Sequence, residues 1–318
     1  MKIIKLSLAA LTTAAALAAL LWVTDSRQFR LTYLCWKQAV SLTSCFRAGP
    51  IDFVVDIDGF KYEGVTGNFI DNQIFIYGAY EKPNLFLLRD LMRSVFAGQG
   101  TFIDIGANTG QHSMMISRYS KEVHAFEPWE PILKRFRQMV ERNGIKNIAI
   151  HAYGLGDENS KKPFFKPAES NLGTGSFVEG FQPENSPEGE LEIKKGDDAF
   201  AKEHITAVSV IKMDIEGYEK LALLGLRQTL KRHRPILMFE LTTNQKSPVS
   251  IKSKDELTAL FPENYELLVI SEKSDPLSGA YFLEPIDGVV RFDRTEQHDL
   301  LAYPIERKNS IPLRGPKR

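Results

Sequence analysis

The sequence predicts an α/β fold built on a mostly parallel, twisted sheet with helices on both faces. Three observations predict it. From Thr101 onward, short apolar runs alternate with helix-length amphipathic segments. The runs are continuous rather than alternating, as in strands covered on both sides. Three of them end in turns rich in glycine or acid: "TFIDIGANTG", "VHAFEPWE" and "VIKMDIEG". Strands joined by helix-length connections form right-handed βαβ units, and hence a parallel sheet.

The elements follow in order. Strand "TFIDI" leads into helix "GQHSMMISRYS", and strand "EVHAF" into helix "PILKRFRQMVERNG", where Gly144 suits a C-cap. Strand "NIAIHAY" comes next. After a gap come strand "VSVIKMDI", helix "YEKLALLGLRQTLKRH", strand "PILMFEL", helix "SKDELTALF" and strand "YELLVI". These make a main domain over 97–290. The gap, an insertion over 158–204, is polar and rich in Gly, Pro, Asn and Ser. It is expected to carry a hairpin and a helix near "GDDAFAKEH", and to cover a substrate. Asn171 and Ser176 are its candidate substrate contacts. Upstream, 51–96 reads as a β-rich extension, with "IDFVVDIDGFKYEG" and "NQIFIYG" as strands, followed by a helix capped by Asn84. The basic, proline-punctuated stretch 291–318 reads as a mobile tail.

The N-terminus differs from all of this. Leu6 to Val23 is a run of 18 apolar or small residues without charge. That is near the lower limit for crossing a bilayer. Its Ala-x-Ala triplets lie inside the run rather than after it, so 1–24 reads as an uncleaved anchor rather than a signal peptide. In the expected stem helix, 25–50, Phe29, Tyr33, Trp36 and Val40 share one face. Forty basic residues balance forty acidic ones, so no global field recruits nucleic acid. Cys35 and Cys45 make no disulfide framework, and the six scattered histidines make no zinc pattern; no metal ligand set is assigned.

Ligands of open parallel sheets bind at the carboxyl ends of strands. Asp104, Gly106, Ala107, Asn108 and Gly110 occupy such an end. A pyrophosphate cradle would need glycine where Asn108 stands, and a P-loop would need Gly-Lys-Ser/Thr; both are missing. Glu127, ending the next strand, is placed to accept from both hydroxyls of a ribose. S-adenosylmethionine meets that description, with a ribose and an adenine but no phosphate. Its carboxylate can use the helix end after Gly110, and its cationic groups tolerate Asp104.

"FIDIGANTGQHS", "VHAFEPWEPILKRFRQMVERNGIKNIAIHAYGLGDEN" and "VIKMDIEGYEKLALLGLRQTLKRHRPILMFEL" together resemble the FkbM family of S-adenosylmethionine-dependent methyltransferases, over about 102–241. The resemblance implies a Rossmann-like methyltransferase fold. It places Asp104, Gly106, Asn108 and Gly110 on the methionine end, Glu127 on the ribose, and Gly156 and Asp157 near the adenine. It implies methylation of oxygen, often on sugars or polyketide-type metabolites. Residues before about Ile51 lie outside it.

Methyl transfer to a hydroxyl needs alignment and removal of a proton. Asp214 is the first candidate base or metal ligand, and Glu216 the second. Lys212 is expected to orient Asp214 or hold the acceptor, and Glu240 can contribute from the neighbouring strand. Either acid could instead only cap the next helix. His112 could reach the site or simply pack. The sequence therefore predicts a single-pass membrane methyltransferase acting on a sugar, glycan or lipid-linked hydroxyl. Its domain is expected to face the cytosol, where the cofactor is made. Alternatives are a protein N-methyltransferase, an NAD-dependent oxidoreductase and a catalytically silent membrane adaptor. Nothing in the sequence sets the oligomeric state.

Overall fold

The computed structural model describes residue 50, residues 52–243, residue 247 and residues 249–315. The expected anchor, and the stem helix apart from Pro50, lie outside the described residues. Among the described residues, no helix is long and apolar enough to cross a membrane.

The chain opens on a hairpin, β1 (Asp52–Ile57) and β2 (Phe60–Val65), turned by Asp58 and Gly59 at φ 52° and 91°. Two positive φ angles give the hairpin turn whose twist matches its strands. Phe53, Val55 and Ile57 alternate inward. The segment "NQIFIYG" corrects the strand expected there. It lies in helix α1 (Phe69–Tyr77), whose first turn is capped by the Asn68 side chain accepting from the Asp71 amide. The Ile70 and Ile74 side chains, four residues apart, are both buried. β-Propensity misled here because the cap and the i, i+4 pair decide. Helix α2 (Lys82–Ser94) starts two residues before Asn84, so Asn84 is not its cap. Its side chain donates instead to Asp299 Oδ2 at 2.8 Å.

The main sheet holds eight strands. From its centre, β3 (Thr101–Ile105), β4 (Glu122–Phe126) and β5 (Ile148–His151) step outward in parallel. Helices α3 (Gln111–Ser117) and α4 (Glu130–Arg142) are the crossovers. Gly144, at φ 63°, follows the end of α4 as expected. The chain then makes a small separate sheet in the order β6 (Gly154–Gly156), β8 (Ser186–Lys195), β7 (Ser160–Lys166). Helix α5 (Gly196–Lys202) ends this insertion. β9 (Val210–Met213) returns to the other side of β3, and β10 (Ile236–Thr242) lies parallel beyond it. The connection between them holds α6 (Glu219–Gly225) and α7 (Arg227–His233). Helix α8 (Lys254–Thr258) precedes β11 (Tyr265–Ile270), and β12 (Leu283–Pro285) closes the edge.

The expected tail needs correction. Gln297–Pro304 forms β13, antiparallel between β10 and β11 and buried over its second half. The sheet is therefore parallel from β5 to β10 and antiparallel beyond.

Period-two alternation sorts the central strands. Ile103, Ile105, Ile211 and Met213 join the core on one face; Phe102 and Val210 join that on the other. Asp104 and Lys212 continue the second face and are paired across β3 and β9. Each buried large apolar side chain is worth about 1.5–3 kcal/mol. A charge buried alone costs more than that, so the two are tolerated here only together.

Candidate functional site

The strand order reverses between β3 and β9, and a cavity opens at their carboxyl ends. Here two backbones touch. A Cβ on Gly106, whose φ is 79°, would sit 1.8 Å from the Asp214 carbonyl oxygen. A Cβ on Gly110, at φ 81°, would strike the Phe136 ring at 2.0 Å. Glycine is therefore required at both positions by conformation and by space.

Glu127 braces the turn. Its Oε2 accepts from the Asn108 amide at 3.0 Å and its Oε1 from the Trp129 amide at 2.9 Å. Each carboxylate oxygen keeps a further lone pair. Burial pushes this carboxyl up to about 7, against the opposing pull of those two amides. Asn108 adopts φ 49°, and its side chain accepts from the Thr109 amide at 2.7 Å. That local bond suits asparagine to the left-handed position where a dinucleotide fold would use glycine.

Behind the turn lies a buried ion cluster. The Lys212 ammonium donates to the Gly106 carbonyl at 3.1 Å and to Asp214 Oδ2 at 3.3 Å, and lies 3.8 Å from Asp104 Oδ1. Burial opposes its charge, but Asp214, Asp104 and Glu81 outweigh that and hold its pKa above the ordinary lysine value. Asp104 is fully buried; Ser113 donates to its Oδ2 at 2.6 Å, and Oδ1 has no hydrogen bond. Lysine 212 is the one lysine or arginine among the described residues that line the cavity. Around it, burial and then Asp214 push Glu216 and Glu240 well above the ordinary carboxylate range.

Neither Asp214 nor Glu216 caps the helix that follows, which begins at Glu219 without a side-chain cap. Glu219 Oε1 accepts from the Ile215 amide at 2.9 Å and the Gly217 amide at 3.4 Å. Asp214 and Glu216 are thereby left on the cavity wall.

The insertion covers the opening, with Asn171, Leu172, Gly173 and Thr174 on the wall. Ser176, expected to meet substrate, instead donates to the Glu216 carbonyl at 2.7 Å and ties the insertion to that turn. Gly156 and Asp157 do not line the cavity; Gly154 and Leu155 do, with Trp129, Phe164 and Phe177. Gly156 is used in packing, its carbonyl lying where a Cβ on Gly225 would go. Two wall residues from the N-terminal extension escaped sequence reasoning or were not weighed, Ile70 and Tyr80. His112 does reach the wall. Its Nε2 lies 3.7 Å from Glu81 Oε2 and has no hydrogen bond, and burial holds its pKa well below the ordinary value. Burial likewise pushes Glu81 up to about 8.

The family model for the methyltransferase FkbM domain matches residues 104–268, just over half of the chain. The chain belongs to the FkbM methyltransferase family. It is accordingly an enzyme of the S-adenosylmethionine-dependent methyltransferase class. No curated protein matches the sequence. Among solved structures it is similar to the methyltransferase FkbM of Methylobacillus flagellatus KT, at 19% identity and a TM-score of 0.41. That match covers 65% of this FkbM-family chain and 44% of the other. A Streptococcus mutans methyltransferase solved with S-adenosylhomocysteine matches at 12% identity, over 69% and 94%, with a TM-score of 0.37. A methyltransferase of Agrobacterium tumefaciens matches at 8% identity, over 82% and 72%, with a TM-score of 0.43.

The residues present suit the family's methyl donor. The glycine turn and Glu127 stand side by side on the cavity wall, and each Glu127 oxygen keeps an acceptor site beyond its backbone amide. Among the described residues, the cavity wall carries no lysine or arginine other than Lys212, which is already engaged.

Proposed function

We propose that the enzyme methylates a hydroxyl of a sugar, glycan or lipid-linked acceptor at a membrane, with S-adenosylmethionine as the donor. One observation carries the reading: Glu127 and Asp214 line a single cavity, the first beside the glycine turn and the second beyond it. Glu127 holds the ribose, and the turn from Gly106 to Gly110 takes the amino-acid end. Trp129, Phe164 and Leu155 flank the adenine. When bound, the donor supplies an electrophilic methyl group on a sulfonium.

The chain's own residues do the rest. Lys212 fixes Asp214 through its 3.3 Å contact and offsets the repulsion between it and buried Asp104. Asp214 faces the acceptor hydroxyl and draws off its proton as the new bond forms. The insertion, pinned by Ser176, excludes water. Asp214→Asn keeps the shape and removes the basic oxygen. Its turnover is expected to fall about 100-fold or more, with S-adenosylhomocysteine affinity nearly unchanged. The assay is transfer of labelled methyl to extracted glycans and lipids, read by mass spectrometry. Label on protein nitrogen would overturn the acceptor assignment in favour of N-methylation.

The membrane reading rests on the uncharged run Leu6–Val23, outside the described residues. We place the catalytic domain on the cytosolic side, because the donor is made there. In sealed right-side-out vesicles, external protease should leave the domain intact. Its digestion would reverse the topology.

A further inference from the structure

Three adjacent positions at the strand ends carry a feature that methyl-donor binding leaves unused. Asp214 follows β9, Glu216 stands in the turn after it, and Glu240 sits on β10 one step past Phe239, which pairs with Met213. One carboxylate oxygen from each residue lies within 4.8 Å of the other two. A cluster of acids alone would mean little. Here, however, Glu216 Oε2 and Glu240 Oε2 are both shielded from solvent and have no hydrogen-bond partner. Buried acceptors normally find donors.

Two nearby donors are committed elsewhere. The Lys212 ammonium is held by the Gly106 carbonyl and Asp214 Oδ2. The Ser176 hydroxyl donates to the Glu216 carbonyl, not to its carboxylate. The Glu216 backbone is fixed at φ 53°, in the left-handed region that costs a non-glycine residue energy.

We propose that Asp214, Glu216 and Glu240 form a binding site for a divalent cation. Three carboxylates with no imidazole or thiolate select a hard ion: Mg²⁺, Mn²⁺ or Ca²⁺. Metal–oxygen bonds of about 2.0–2.6 Å allow ligand oxygens to stand at most about 4–5 Å apart, and the three lie within that limit. Asp214 and Glu216 also line the cavity, so the open coordination positions face the acceptor. The site itself stands on the carboxylate geometry; only its catalytic use rests on the O-methylation reading. In that use the acceptor hydroxyl binds the cation, becomes more acidic and gives its proton to a neighbouring carboxylate. The carbon–oxygen bond forms as the carbon–sulfur bond breaks, leaving an ether and a neutral thioether.

Mn²⁺ is the probe, followed by electron paramagnetic resonance on the full chain in detergent after chelator treatment. One Mn²⁺ per chain is expected to bind, displaced by excess Mg²⁺ or Ca²⁺. Glu216→Gln and Glu240→Gln should each weaken it about tenfold or more. S-adenosylhomocysteine binding, measured separately, should persist in both variants and shows that they are folded. No saturable Mn²⁺ binding, or equal binding by both folded variants, would overturn the site. Loss of nucleoside binding with Mn²⁺ binding intact would strike the donor assignment and leave the cation site standing.

Discussion

Glu127→Ala is expected to weaken S-adenosylhomocysteine binding by about 100-fold or more, while the protein stays folded. Two hydrogen bonds to a charged carboxylate contribute about 1.5–3 kcal/mol each, so losing both reaches that range. The variant also frees the Asn108 and Trp129 amides, which Glu127 holds at 3.0 and 2.9 Å. The turn therefore loses its brace together with the ribose acceptor. The same residue sets a pH dependence. Its carboxyl is pushed up by burial to about 7, and protonation removes an acceptor. Affinity should be full above pH 7 and fall by up to about tenfold per pH unit below it. In the Glu127→Ala variant this slope should vanish. Calorimetric titrations between pH 6 and 8 measure both effects. Tight, pH-independent binding by the variant would remove Glu127 from the site.

Lys212→Met should destabilise the fold by about 3–5 kcal/mol at neutral pH, as expected when one partner of a buried pair is removed. Asp104 is fully buried, with only Ser113 left to donate to it, and Asp214 loses its nearest cation. The effect has a sign in pH. Burial already raises the Asp104 pKa, and without Lys212 it rises further. The unpaired carboxylate costs most where it is ionised, so the deficit should shrink as pH falls and Asp104 takes up a proton. Urea denaturation of wild type and variant at two pH values gives the difference. A loss below about 1 kcal/mol at neutral pH would mean that the pair contributes little.

Much of the frame was legible because each strand carries its own signal. "TFIDI", "EVHAF" and "VIKM" are continuous apolar runs that stop at a glycine or an acid. The cavity-lining strand ends could be found because glycine, Asn108, Glu127 and Asp214 are local markers there. The antiparallel half was not legible. Leu300, Leu301 and Ala302 form only a short apolar stretch after the polar run 294–299, and their partners in β10 and β11 lie far away in sequence. Nothing local marks a strand that inserts late. The same limit hid Tyr80 and Glu81. They stand in an N-terminal extension whose position over His112 and Lys212 only the folded chain reveals. Ser176 was noticed as a polar loop residue, but its partner, a carbonyl 40 residues on, was not readable.

Sequence also leaves unreadable which acids will gather. Glu240 and Asp214 are 26 positions apart, and only the β9–β10 register makes them neighbours.

The most direct test of the account is a structure determined with S-adenosylhomocysteine bound. The account predicts the ribose hydroxyls on the Glu127 carboxylate, the amino-acid end along Gly106 to Gly110, and the sulfur facing Asp214. A nucleoside bound elsewhere, or one that leaves Glu127 untouched, would contradict it.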